Sequence, residues 1–410
     1  MKRQFLLKRQ LAFILFLSIC LLPAISQPSQ FRGSERNGIY PETDLLEIWP
    51  SEGPQLLFTI SGIGDGYAAP AITQQGFFVA GMTDSIGSIY HYNHQQELQW
   101  SFAYGKEFTF KYTGARGTPT IEGDRLYYSG TFGDAFCLDT RDGSTIWKKN
   151  IFQEYEGKPI KWGYTESPLI YKDMIILTPG GPGQNVVALD KNTGSHRWSA
   201  NADTTINAYC SPVLINHNNQ DFILMTTRDY LLLLMPETGE VAFRHPIYES
   251  HSMHAITPLY TDGKIFYSSG YGEGSVLFDI NEEEKRLDTI YINKDMDCKL
   301  SGLILVDGTV FGTSDRKKQW VGIDVASGET IFTSRELKPG SFLMADHKFF
   351  IFTETGEVAL AFPEKDGFMV QSRFKIPVQP ATFAFTHPVI YKGILYIRYK
   401  ENMWLYDVKR

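Results

Sequence analysis

A segment of about 45 residues recurs along this chain of 410 residues, and no other feature narrows the possible folds as much. One copy reads Val187-Ala188-Leu189-Asp190-Lys191-Asn192-Thr193-Gly194, with Trp198 shortly after. The copy before it reads Phe136-Cys137-Leu138-Asp139-Thr140-Arg141-Asp142-Gly143, with Trp147. Two more are Leu234-Met235-Pro236-Glu237-Thr238-Gly239 with Phe243, and Gly322-Ile323-Asp324-Val325-Ala326-Ser327-Gly328 with Phe332. Fainter copies lie at Tyr92 to Trp100, Phe278-Asp279, Phe362 to Gly367 and Leu405-Tyr406-Asp407. From Asn93 to Asp407 there are 314 residues in seven steps, which gives eight units.

Each unit has a physical grammar. An apolar strand ends in Asp, a turn closes on Gly, and a second strand carries an aromatic residue. Gly suits the turn because its last residue takes positive φ, a conformation that costs a residue with a side chain about 1–2 kcal/mol. Asp and Asn before it bond the turn's own N–H groups, so these carboxylates read as turn-makers rather than catalytic acids. Upstream of each hairpin is a small or polar stretch ending in Pro: Pro70, Pro119, Pro168, Pro212, Pro258 and Pro388. Gly302 fills the slot in the sixth unit, and the seventh is ambiguous around Leu343. Pro lacks an N–H and belongs at a strand's first residue. A strand-turn-strand run such as Leu169 to Leu177 follows, so each unit supplies four antiparallel strands.

Eight four-stranded units, none able to bury both faces alone, predict an all-β, eight-bladed β-propeller. The last unit, from about residue 382, has three strands. The missing strand is expected from the N-terminal side, at about 54–60, closing the ring. Aromatic residues at 14%, charged residues at 21%, and 36 Gly and 20 Pro spread along the chain fit this reading and exclude coiled-coil, disordered and collagen-like chains.

The first 26 residues read as a secretory signal. Lys2, Arg3, Lys8 and Arg9 precede twelve largely apolar residues, Leu11 to Leu22, then Pro23 and the small residues before a cleavage expected after Ser26. Twelve apolar residues are too few to span a membrane. A lipoprotein reading with Cys20 acylated is disfavoured by Ile19, where a small residue belongs. Residues 27–43 form a leader, and 44–410 the propeller. Removing the four basic residues of the signal leaves 35 basic against 46 acidic, a net charge of −11. Such a surface repels phosphate backbones and argues against nucleic-acid binding. Cys137, Cys210 and Cys298 remain; an odd number, far apart, suggests buried packing thiols. There is no C-x-x-C pair and no C-x-x-C-H haem signature.

The unit xVxALDxxTGxxxW with its SPLV-type strand resembles the repeat of pyrroloquinoline-quinone (PQQ) propeller proteins, over essentially residues 30–410. The stretches Trp162-Gly163-Tyr164-Thr165-Glu166-Ser167-Pro168-Leu169-Ile170 and Thr178-Pro179-Gly180-Gly181 are especially similar. So is the leader, Gln30-Phe31-Arg32-Gly33-Ser34-Glu35-Arg36-Asn37-Gly38. The resemblance implies one of two functions. One is a non-enzymatic binding or scaffolding module of a Gram-negative periplasm or cell envelope. The other is a dehydrogenase of alcohol or sugar hydroxyls that uses PQQ and Ca²⁺. The vicinal Cys pair of many such dehydrogenases and an appended cytochrome domain are both missing, so the binding module, as a monomer, is preferred.

In a propeller the innermost strands begin near one rim, so residues just before each recurring Pro should ring the channel. Three positions before it stand Tyr67, Arg116, Thr165, Tyr209, Ala255, Lys299 and Phe385; four before it stand Tyr164 and His254. Arg116, Lys299, His254 and the aromatic residues are the candidates for holding an anionic planar ligand such as PQQ, or the edge of a protein partner. Glu166 and Asp297 are the candidate catalytic carboxylates. No metal site is assigned: His251 and His254 lack a third ligand at known spacing. Gly180-Gly181-Pro182-Gly183 reads as a hairpin loop, because no Gly-Lys-Ser/Thr and no helix follow it.

Overall fold

The computed structural model describes residues 27–202, 206–248, 251, 253–378 and 383–410. The expected signal segment and Cys20 lie outside them. Eight sheets form the blades of a ring: six have four sequential antiparallel strands, blade 7 has four and gains a fifth, and blade 8 has three that a strand from the N-terminal side completes. Blade 1 comprises Ala71–Thr73, Gly76–Thr83, Ile86–Tyr92 and Leu98–Lys106, and the later blades repeat this order. Inner strands begin directly after Pro70, Pro119, Pro168, Pro212, Pro258 and Pro388, and at Ile304 in blade 6. Blade 7 also obeys the rule: its inner strand, Gly340–Ala345, follows Pro339 rather than starting near Leu343. That Pro escapes a sequence reading because Glu336-Leu337-Lys338 before it lacks the small residues of the other copies.

The turn grammar is visible atom by atom. Asp190 Oδ1 accepts from the N–H groups of Asn192 (3.0 Å) and Thr193 (2.9 Å), and Asp324 Oδ1 from that of Ser327 (2.8 Å). The closing glycines Gly143, Gly194, Gly239 and Gly328 lie at φ between 70° and 76°. In blades 1 to 3 the aromatic residue reaches the turn of the next blade. Trp100 Nε1 donates to Thr140 O (3.0 Å), Trp147 Nε1 to Lys191 O (2.9 Å) and Trp198 Nε1 to Pro236 O (3.0 Å). Each of these indoles covers the next blade's turn glycine, so a Cβ on Gly143 would stand 2.8 Å from Trp100. Burying a side chain of this size contributes about 2–3 kcal/mol, and here the contribution comes at each of these three seams.

Closure follows the expected route. Gln55–Ser61 pairs antiparallel with Asn402–Asp407 and completes blade 8. Arg398, itself buried, ties blade 8 to blade 1 by donating to the carbonyls of Ala68 (2.7 Å), Ala80 (2.7 Å) and Gly64 (3.0 Å). Glu42 accepts the N–H groups of Lys392 and Gly393, each at 2.8 Å.

The leader does more than approach the ring: it enters the channel. Inner strands leave unpaired backbone groups facing the axis, and buried groups of this kind need partners. Pro28 O accepts from Ile72 N (2.9 Å), Ser29 O from Ile121 N (2.8 Å) and Gly38 O from Met344 N (2.9 Å). Ile39–Tyr40 then adds a fifth, parallel strand to blade 7. Two buried arginines of the leader reach across the axis. Arg36 donates to Ser167 O (3.0 Å), Pro168 O (2.5 Å) and Pro212 O (2.8 Å), and Arg32 to Leu303 O (2.7 Å). Desolvation lowers both to about 10, which leaves them charged at neutral pH. The channel therefore has a stopper made from the chain's own N-terminal side.

No helix among the described residues is long and apolar enough to cross a membrane. Cys137, Cys210 and Cys298 are free and buried, and desolvation pushes the thiols up, to about 12 for Cys137 and about 11 for Cys210.

Candidate functional site

Above the stopper the rim opens into a cup of about 320 Å³. All seven residues expected there, three positions before the slot (Tyr67, Arg116, Thr165, Tyr209, Ala255, Lys299 and Phe385), line it, whereas Glu336, three before Pro339 in blade 7, does not. One position before the slot, Ser167, Ser211 and His387 line it as well. The reason is the alternation of side chains along an extended segment, which sends every second one toward the axis. The same alternation turns Tyr164 and Glu166 away. Both are buried in the wall behind the cup, where Tyr164 Oη donates to Glu166 Oε2 at 2.5 Å and the Thr178 hydroxyl donates to the same oxygen.

His254 is also interior, with Nε2 2.9 Å from Arg228 O and Nδ1 against the Tyr267 hydroxyl. Asp297 is buried and engaged, accepting from Ser314 Oγ (2.5 Å), Gly272 N (2.9 Å) and Arg316 N (3.0 Å). The structure thus gathers Tyr67, Arg116, Tyr209, Lys299 and Phe385 at one cup and leaves Tyr164, His254, Glu166 and Asp297 outside its lining.

Several lining residues are not legible as a ring. Phe31 comes from the leader and packs edge-on against His387, with ring centroids 5.3 Å apart. Lys111, Tyr112 and Trp162 come from the long connections between blades 1 and 2 and between blades 2 and 3. The length of those connections is the only sequence signal for them. Four aromatic rings of the lining form a chain of contacts: Tyr67 to Phe385 at 5.7 Å, Phe385 to Tyr112 at 5.7 Å, and Tyr112 to Trp162 at 6.1 Å.

The cations are held differently. Arg116 lies over the Phe108 ring (4.3 Å) and donates to the carbonyls of Trp162 and Tyr112. Desolvation lowers its pKa, partly offset by the nearby Glu107 carboxylate. No ion pair joins Arg116 to a carboxylate among the described residues. Lys299 Nζ stands 4.2 Å from the Tyr271 ring centroid and 3.9 Å from Asp315 Oδ2. Burial opposes its charge, but Tyr271 and Asp315 outweigh burial and its pKa stands above the usual lysine value. Burial pushes the Tyr67 phenol up to about 12, and the His387 imidazole down to about 3 with help from Arg32. The lining therefore holds Lys111, Arg116 and Lys299, and no Asp or Glu among the described residues.

This lining suits the carboxylates and the face of a planar anion, but not Ca²⁺. That ion takes six to eight oxygens, with carboxylates and amides prominent. Among the described residues the lining contains no Asp, Glu, Asn or Gln. No group of three His, Cys, Asp or Glu able to hold a metal occurs among the described residues.

Comparison with known proteins places this architecture. A family model described as outer membrane protein assembly factor BamB matches residues 85–334. The quinoprotein alcohol dehydrogenase PedH of Pseudomonas putida is 24% identical over 205 residues, which are 47% of this chain and 32% of that protein. A quinoprotein ethanol dehydrogenase of Pseudomonas putida is 25% identical over 164 residues, 37% of this chain and 26% of that protein. The chain thus matches about a third or less of the length of these relatives. Among solved structures, BamB from Moraxella catarrhalis superposes with a TM-score of 0.64 at 16% identity, covering 86% of this chain and 99% of that one. A europium-containing methanol dehydrogenase gives 0.64 at 11% identity, with 90% of each chain covered. These structural likenesses establish the fold alone. With more than half its length matched by the family model, the chain belongs to the PQQ-like β-propeller family described as outer membrane protein assembly factor BamB.

Proposed function

We propose that this chain is an exported binding module, a scaffold of the bacterial periplasm or cell envelope that engages its ligand or protein partner at the cup. One observation carries the reading: the cup is lined by cations, aromatic rings and hydroxyls, with no carboxylate or amide side chain among the described residues. Oxidation of an alcohol needs a positioned base. Desolvation raises Glu166 to about 7, a value suited to a base, yet the group is fully buried in the wall and bonded to Tyr164 and Thr178. Asp297 is held by three donors away from the cup. Neither carboxylate reaches a substrate seated at the rim.

The quinoprotein reading is tested by adding PQQ and Ca²⁺ to purified protein, passing it through gel filtration and assaying dye-linked oxidation of alcohols and sugars. The expected result is no turnover. Retained quinone with turnover abolished by Lys299→Ala would overturn the proposal. A photoreactive residue at Phe110 is expected to trap an envelope protein in living cells, and failure to trap any would count against it.

A further inference from the structure

The mouth of the cup carries more apolar surface than the cup itself uses. Phe110 is 64% exposed, Tyr112 42% and Phe383 41%. Phe110 lies near-parallel to Trp162 at 6.4 Å, and Phe383 near-parallel to Phe385 at 5.7 Å, so aromatic surface leads outward from the cup along two paths. Lys161 Nζ stands 5.1 Å over the Trp162 ring. Exposed aromatic surface of this kind, interleaved with cations, marks an interaction site. A small ligand confined to about 320 Å³ would leave Phe110 and Phe383 in water. A chain segment crossing the mouth would cover both.

Charge narrows the occupant. Lys111, Arg116 and Lys299 line the cup, no acidic residue among the described ones lines it with them, and Asp315 stands behind Lys299 at 3.9 Å, on a chain whose formal net charge is −7. Two carboxylates, Asp315 and Glu354, line an adjoining cavity of about 180 Å³ on the side of Lys299, and the Glu107 carboxylate lies near Arg116. The guanidinium of Arg116 has five N–H groups, so donors remain beyond its two carbonyl bonds. We propose that the mouth binds an acidic peptide segment bearing an aromatic residue. The aromatic side chain enters between Tyr67, Tyr209 and Phe385, and flanking carboxylates pair with Lys111, Arg116 and Lys299. This inference rests on the binding-module reading and gives that module's partner its chemistry.

The test is fluorescence anisotropy with a labelled peptide, Gly-Ser-Asp-Glu-Phe-Asp-Glu-Ser-Gly, on the protein beginning at Gln27. Saturable binding is expected, at least tenfold weaker when the acids become amides, when the peptide's Phe becomes Ala, or when Lys111→Gln and Lys299→Gln are combined in a protein of unchanged Tm. Affinity is also expected to fall as salt rises. Equal binding of the amidated peptide overturns the inference. So does binding of phenylacetate or PQQ without the peptide, and so does no binding at all. Peptide silence together with a partner cross-linked on another face sinks this inference and leaves the module reading standing, whereas PQQ-dependent turnover sinks the module reading.

Discussion

At Gly143 two separate constraints meet: φ of 73° and an indole from the preceding blade. Gly123 has φ of 58° but nothing within 4 Å of a would-be Cβ. Replacing Gly123 with Ala is expected to cost about 1–2 kcal/mol for the backbone alone. Gly143→Ala should cost at least twice as much, because Trp100 must also move. Denaturant unfolding of the two variants checks this, and equal losses would remove the proposed latch between blades.

Glu166 offers a second test at the same scale. Its folded pKa of about 7 lies above the unfolded value of 4.5, so the folded state binds the proton more tightly. Stability contributed by the protonated acid is full below pH 4.5 and falls as pH rises through about 7. Glu166→Gln should flatten the loss across that window, worth on the order of 3 kcal/mol for a shift of this size. Unfolding curves at pH 5 and pH 8 that shift alike in wild type and variant would contradict it.

Among the elements, the blades were legible because their grammar is local: strand, Asp turn, Gly, aromatic residue and Pro all fall within a window of about 45 residues. The closing strand was legible because one unit lacked its fourth strand. The stopper was not. Arg32 and Arg36 satisfy carbonyls at Leu303, Ser167, Pro168 and Pro212, more than a hundred positions away, and no periodicity in the leader announces it. Removing a buried donor leaves acceptors unsatisfied at about 1–3 kcal/mol each. Arg36→Met should therefore lower Tm far more than the exposed control Arg197→Met, as scanning calorimetry would read; equal Tm values would contradict the stopper. Deleting residues 44–60 is expected to unfold or aggregate the protein by opening blade 8. A soluble truncation with an unchanged melting profile would refute closure by that strand.

For the whole molecule, the rim position was readable and the direction of each side chain only half so. Residues three before the slot line the cup in every blade but the seventh, where Glu336 does not, whereas Tyr164 and His254, four before it, face the wall, because an extended chain reverses direction at every residue. The cup's floor could not be read at all, since Phe31 reaches it only once the leader is threaded. The proposed function rests on the combination of a ring closed by its own N-terminal side, a channel stoppered beneath the rim, and a cationic cup above.

Hydrogen exchange read by mass spectrometry tests that combination most directly, since protection reports whether a segment belongs to the cooperative structure. If the leader and closing strand are integral, residues 55–61 and the amides of Ile72, Ile121 and Met344, whose acceptors are leader carbonyls, exchange as slowly as the blade cores. Complete exchange of 27–61 within seconds, with the blades still protected, would contradict the account.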